Sequence, residues 1–262
     1  YCLFTGSVGN QFFFRLIDVN HKSEFLIQQI TSLSDKNPIG NIYICDISKF
    51  SAIPGAPCSY WETNLLSGHI NKLPFLRDEW GDVIRGPEVH DLFKEVRCWW
   101  EVHPSLIGEH RKWVWYAKGG EFKRFAPDIH LLVDFGNIRL GKAQFRRPGD
   151  EKYYFKKGLT YTQRTTSPIS FRVLPKGCLT SPKGPAIIPD DGDFDLEPLL
   201  AVCNSHIFSR LVNMRVGAAG AAARSYDLGI IRLIPVPDRN STYIDHLNHI
   251  KKKALDLTIA PC

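Results

Sequence analysis

No stretch of this 262-residue chain approaches the roughly 20 consecutive apolar residues a membrane-spanning helix needs. Residues 1–20 also lack the basic start and small-residue cleavage site of a secretory signal. A membrane or secreted protein is therefore set aside, and the chain is read as cytoplasmic. Its 7 cysteines are odd in number, widely scattered and never spaced as CxxC, which excludes a disulfide framework and a zinc site of ordinary spacing. They are expected to be reduced and mostly buried. A GxSxG nucleophile elbow, an HExxH zinc motif and a Walker loop are missing as well, so the common hydrolase chemistries have no sequence support. The chain opens on Tyr1 instead of Met, as expected of a fragment of a longer polypeptide.

What is present suffices for a core: 44% of residues are hydrophobic and 12% aromatic. The net charge of +6 is modest, but its distribution is not. Residues 111–183 carry 16 Lys or Arg against 5 Asp or Glu, an excess of 11, so the rest of the chain sums to −5. Concentrated positive charge is what counterion release from a polyanion exploits, and it raises a nucleic-acid partner above other classes. A solvated basic face is the plainer alternative.

Along the chain, residues 12–17 read as a buried strand, 23–33 as a helix presenting Phe25, Leu26, Ile30 and Leu33, and 41–47 as a second strand. Together they look like the end of an α/β sheet continued from upstream. Ile53-Pro54-Gly55-Ala56-Pro57 then stops any element, because two prolines flank a glycine. Beyond it, short aromatic-rich runs at 96–102, 113–117, 130–135, 153–155 and 169–174 alternate with Gly, Pro and Asp, the pattern of a strand-rich domain. In these runs Trp99, Trp100, Trp113 and Trp115 are expected in the core. Residues 196–212 read as one amphipathic helix with acids at its N-terminus. The small-residue stretch 217–223 reads as a loop, and 243–257 as a closing amphipathic helix. The fold class is thus α+β, with 1–60 as the tail of an α/β domain and its junction, 61–238 as a mixed strand-rich domain, and 239–262 as a C-terminal helix.

Two constellations carry chemistry. Pro127-Asp128 with Asp150-Glu151-Lys152 matches in outline a metal-dependent nuclease, in which two carboxylates hold the cation and a lysine supports the attacking water. Asp150 follows Pro148-Gly149, where a solvated turn acid is the ordinary reading. The second constellation interleaves cations with aromatics and glycines: Lys118, Gly119, Gly120, Lys123 and Arg124, then Arg139, Lys142, Arg146 and Arg147, then Lys156, Lys157, Arg164, Arg172 and Lys176, with Arg224 beyond. Phosphates need cations and close backbone approach, and base edges favour the planar fork of Arg. Of the arginines, Arg124, Arg164 and Arg172 are the candidates for reading bases.

Several blocks in order resemble one family, the C-terminal recognition regions of class-one adenine-specific DNA methyltransferases, especially the phage-exclusion (BREX-type) and fused restriction–modification enzymes. The blocks are Phe14-Arg15-Leu16-Ile17-Asp18; Ile53-Pro54-Gly55-Ala56-Pro57-Cys58-Ser59-Tyr60-Trp61, which is the most specific; Trp99-Trp100-Glu101-Val102; and Tyr116-Ala117-Lys118-Gly119-Gly120-Glu121-Phe122. Tyr153-Tyr154-Phe155-Lys156-Lys157-Gly158, Phe171-Arg172-Val173-Leu174-Pro175-Lys176-Gly177, Leu200-Ala201-Val202-Cys203-Asn204-Ser205 and Ile234-Pro235-Val236-Pro237 continue it. Residues 85–91, Phe125 and Asp128 depart from the family pattern.

The resemblance implies a target-recognition domain similar to that of TaqI-like enzymes, binding double-stranded DNA for an upstream methyltransferase domain of the same protein. That domain would hold S-adenosylmethionine and take an adenine out of the duplex. Methyl transfer also needs a glycine-rich cofactor turn after a strand and an Asn/Asp-Pro-Pro-aromatic motif, and neither is in the sequence. The chain alone is therefore expected to hold no cofactor or metal and to transfer no methyl group.

Overall fold

A computed structural model of the chain describes residues 2–3, 10–17, 19–34, 41–52, 58–62, 69–127, 129–190, 195–216 and 223–249. The architecture is α+β, and the chain divides into two compact units: Tyr1–Lys72 with Asn213–Ala222, and Leu73–Val212 with Ala223–Cys262. The junction Ile53–Pro57, the Gly-Ala stretch 217–222 and residues 250–262 lie outside the described residues.

In the first unit, β1 (Cys2–Leu3), β2 (Asn10–Phe14) and β3 (Ile42–Asp46) form an antiparallel sheet in the order β1-β2-β3. Strand β2 ends at Phe14, short of the expected Ile17. The helix Lys22–Ser34 connects β2 to β3. Its inner face buries Gln29 and Ser32, whereas Ile30, expected on the apolar face, is exposed. The core here is aromatic: Phe13 stacks on Tyr60 at 4.7 Å between ring centroids and meets Phe50 edge-on at 5.8 Å. Arg15 lies over the Trp61 ring at 4.8 Å. The buried Ser59 hydroxyl donates to the Met214 carbonyl at 3.1 Å.

Among its described residues the second unit contains two four-stranded sheets. Strands β4 (Asp82–Ile84), β8 (Gly158–Tyr161), β10 (Phe171–Leu174) and β12 (Ala186–Ile188) form one in the order β10-β8-β12-β4, all antiparallel. Strands β5 (Val96–Cys98), β6 (Trp113–Ala117), β7 (Leu131–Asp134) and β11 (Cys178–Thr180) form the other in the order β11-β6-β7-β5, with only β11–β6 parallel. A two-stranded ribbon, β9 (Arg164–Thr165) with β13 (Arg224–Ser225), completes the set.

Period-two alternation explains how the second sheet serves two cores. Along β6, Trp115 and Ala117 face a cluster with Ile84, Leu174, Ala186 and Ile188 of the first sheet. Val114 and Tyr116 face the opposite side, packing with Val89, Val133, Phe145 and Leu179. Gly158 opens β8 because the strands come too close for a side chain there: a Cβ would lie 2.3 Å from the Ile187 carbonyl oxygen and 2.8 Å from the Ile188 side chain.

Three sequence expectations are corrected. Strand β5 ends at Cys98 because the Glu101 carboxylate accepts from the Cys98 N–H at 2.6 Å and folds the chain into a 3-10 turn, Trp99–Glu101. That turn leaves Trp99 and Trp100 exposed at 48% and 62%, not in the core; Trp113 is buried and Trp115 half-buried. Residues 153–155 are not a strand either, since Asp150 caps the 3-10 turn Glu151–Tyr153 through the Lys152 N–H. The turn sends Tyr153 to one core cluster and Tyr154 and Phe155 to the other. The helix expected over 196–212 is two helices, Leu196–Cys203 and His206–Val216. Asn204 between them pairs with both backbone groups of Phe171 at 3.0 Å, completing the edge of β10.

The closing segment is tied to the start of this unit. The Trp80 indole donates to the Pro237 carbonyl at 2.9 Å, and the Leu76 N–H donates to the Ile234 carbonyl at 3.0 Å. Residues 242–249 are helical, the described part of the expected final helix.

Candidate nucleic-acid interface

The candidate residues fall into groups that differ in how firmly they are held. The first surrounds the loop after β6. Gly119 has φ +86, and a Cβ there would come 2.7 Å from the Lys183 carbonyl oxygen, so the loop is pressed onto the Lys183–Gly184 turn as only glycine permits. The Thr162 hydroxyl donates to the Gly120 carbonyl at 2.9 Å. Beneath it Arg172, 1% exposed, donates to the Thr162 hydroxyl at 3.0 Å and to the Glu121 carbonyl at 3.5 Å.

The far end of this loop is stapled to β10. The Phe125 N–H donates to Phe171 O, and the Val173 N–H donates to Phe125 O, each at 3.0 Å. These bonds hold Phe125 in the left-handed region at φ +70, a conformation that costs a bulky residue about 1–3 kcal/mol. Arg172 therefore serves the loop from inside. Buried and engaged, it has no surface from which to reach a base edge, which corrects the sequence expectation for it.

What the loop displays is different. Lys123 and Arg124 are exposed, and the Arg124 guanidinium lies 5.3 Å from the centre of the exposed Phe122 ring. Lys118 is half-buried, and the loss of solvent lowers its ammonium below the ordinary lysine value. Arg164, on β9, is exposed and pairs in register with Ser225, while its neighbour Thr165 pairs with Arg224. Neighbouring positions on a ribbon face opposite ways, so Arg164 and Arg224 present to opposite sides.

The second group lies around an aromatic cluster of Phe135, Phe145, Tyr154 and Phe155. Arg139 lies 5.1 Å from the Phe135 ring centre and donates to the Glu109 carbonyl at 2.5 Å. Lys156, Lys157 and Lys176 border a neighbouring cleft with Glu109. Lys142 is exposed just past the helix Phe135–Arg139. In a third group, Arg146 and Arg147 share one carboxylate, Glu88, at 3.3 and 3.7 Å.

The carboxylates of the nuclease reading are placed otherwise. Asp150 and Lys152 pair with each other at 3.2 Å on an exposed turn, and Asp128 lies outside the described residues. No group of three or more metal-binding side chains occurs among the described residues. Burial raises the Cys178 thiol to about 12 and pushes Cys203 up as well, so neither is a nucleophile at neutral pH. No helix among the described residues is long and apolar enough to cross a membrane.

No family model matches the chain. It is 29% identical, over 95% of its length, to the adenine-specific methyltransferase BrxX of Escherichia coli O9:H4 (strain HS). The chain spans 20% of the length of that relative, and the similarity supports a relationship to it.

Proposed function

We propose that this chain is the DNA-recognition module of an adenine-specific DNA methyltransferase of a restriction–modification or phage-defence system. In this reading it holds the duplex while a separate catalytic domain of the same protein, upstream, binds S-adenosylmethionine and transfers the methyl group. The observation that carries it is the surplus of exposed and half-buried cations on a strand-built unit whose described acids do not neutralise them. Lys142, Lys156, Lys157, Arg164 and Lys176 have no carboxylate partner among the described residues. Cations left unpaired on a folded surface are what a phosphate backbone can use. The similarity to an adenine-specific methyltransferase supports the rest of the reading. Nothing favours the nuclease alternative, because Asp150 and Lys152 neutralise each other at a solvated turn.

The test is titration of a labelled duplex across a salt series. Log affinity should fall linearly with log salt, with a slope showing several released counterions at about 0.9 per phosphate contact. A slope near zero would reduce the basic segment to a solvated face.

A further inference from the structure

Glu109, Tyr154, Phe155, Lys156, Lys157 and Lys176 line a cleft of about 420 Å³. The cleft is rigid where it carries its charges. Phe155 is held at φ +62, and its carbonyl accepts from the Gly177 N–H at 2.9 Å, joining the turn bearing Lys156 and Lys157 to the turn bearing Lys176. The Phe155 ring is fixed edge-on against Phe135 at 5.3 Å. Three lysines and one glutamate thus line one small space, with the Lys156 ammonium 5.8 Å from the centre of the Tyr153 ring, yet none of the lysines forms an ion pair with Glu109 or any other described acid. Charges kept apart in one preorganised cleft are complementary to a ligand that itself carries separated groups of opposite character.

We propose that the cleft binds a single nucleotide unit, its phosphate held by Lys156, Lys157 and Lys176 and an amino group on its base edge donated to Glu109. The volume lies within the range of small-molecule sites, and about the size of one nucleotide rather than a bare phosphate. A carboxylate is the natural acceptor for the exocyclic amine of cytosine. This deepens the DNA-recognition reading by naming what the cleft grips; the nucleotide is supplied either by a DNA strand or free in solution.

The experiment titrates the 262-residue chain with deoxycytidine 5′-monophosphate, deoxythymidine 5′-monophosphate and deoxycytidine, alongside a single-stranded oligonucleotide and a duplex. Deoxycytidine monophosphate should bind, the unphosphorylated nucleoside should not bind measurably, and Lys157→Gln with Lys176→Gln should weaken binding about tenfold. The thymidine nucleotide should bind about fivefold or more weakly, and Glu109→Gln should erase that difference. Unchanged melting temperatures would show that these surface variants fold. Competition by the monophosphate against the strand or the duplex identifies a strand as the source, and monophosphate binding without competition identifies a free nucleotide. Failure of the wild type to bind the monophosphate, or equal binding of both monophosphates in wild type and Glu109→Gln alike, overturns the proposal. Steep salt-dependent duplex binding in the same samples would leave the DNA-recognition reading standing.

Discussion

The loop after β6 and the lysine cleft are both rich in cations and aromatics, yet they use their charges in opposite ways. Beneath the loop, Arg172 is buried and spends its guanidinium on Thr162 and the Glu121 carbonyl, so its charge organises the backbone. Around the cleft, Lys156, Lys157 and Lys176 have no acid partner among the described residues, and the backbone holds its shape without them. The difference teaches that charge count does not locate a binding surface. A cation with internal acceptors is architecture, and one left without them on a rigid support is available to a ligand.

The sharpest way to break this comparison is Arg172→Ala. Removing a buried guanidinium leaves the Thr162 hydroxyl and the Glu121 carbonyl short of a donor and opens a cavity, at a cost of about 2–4 kcal/mol. The melting temperature should fall by roughly 5–15 °C in a chain of this size. Arg172→Lys should restore only part of it, because one ammonium cannot replace a fork that reaches two acceptors. A variant that melts normally but loses DNA binding would reverse the assignment and return Arg172 to the interface.

Next in size is the effect at the exposed arginines. If Arg124 or Arg164 reads a base, its replacement by Ala costs about 1–3 kcal/mol on a preferred duplex and much less on a scrambled one. Paired titrations at one salt concentration measure this, and equal losses on both duplexes would make the two residues positioning contacts. Smaller still is the change at Arg146 and Arg147. Because both lean on Glu88, they bring a net surplus of one charge, and replacing both by Ala should flatten the salt slope by about one unit. A loss of two units would mean that Glu88 leaves the pair when DNA arrives.

Legibility in the sequence followed the range of the forces involved. Strands β6, β7 and β10 stood out because two-sided burial produces continuous apolar runs. Strands β4, β8, β11 and β12 did not, because Asp82, Gly158, Thr160 and Thr180 interrupt the apolar character of the first three and Pro185 and Pro189 flank the last. Gly158 reads as a break in sequence but is demanded by close approach to Ile187. The exposure of Trp99 and Trp100 depends on one local capping bond from Glu101, which outweighs strand propensity. The split of the long helix depends on Asn204 meeting Phe171, 33 positions away. For the site, the basic segment was evident from composition, whereas the distinction between Arg172 and the lysines was not, since burial and pairing are tertiary properties. The Lys156–Lys157 turn and Lys176 are brought to one cleft by a bond between Phe155 and Gly177 that no spacing reveals.

Lys118 sits between the two kinds of cation and offers the finest test of the comparison. It is half-buried at the start of the glycine loop, and burial alone lowers its folded-state value below that of an exposed lysine. The sign follows from linkage. The folded state binds this proton less well than the unfolded state, so charged Lys118 opposes folding below the folded value, and stability is gained as pH rises through the window between the lowered folded value and the ordinary one. A phosphate arriving beside the ammonium acts in the other direction, favouring the charged form and raising the value again. Duplex binding should therefore move the Lys118 side-chain titration upward, as followed by NMR of its ε-methylene group, and binding should weaken as the alkaline limb is approached. In Lys118→Met, which keeps the apolar stem without the charge, the alkaline gain in stability should vanish while the loop keeps its Thr162 and Arg172 ties. If the Lys118 titration is unmoved by DNA, the residue belongs with Arg172 as part of the loop's support.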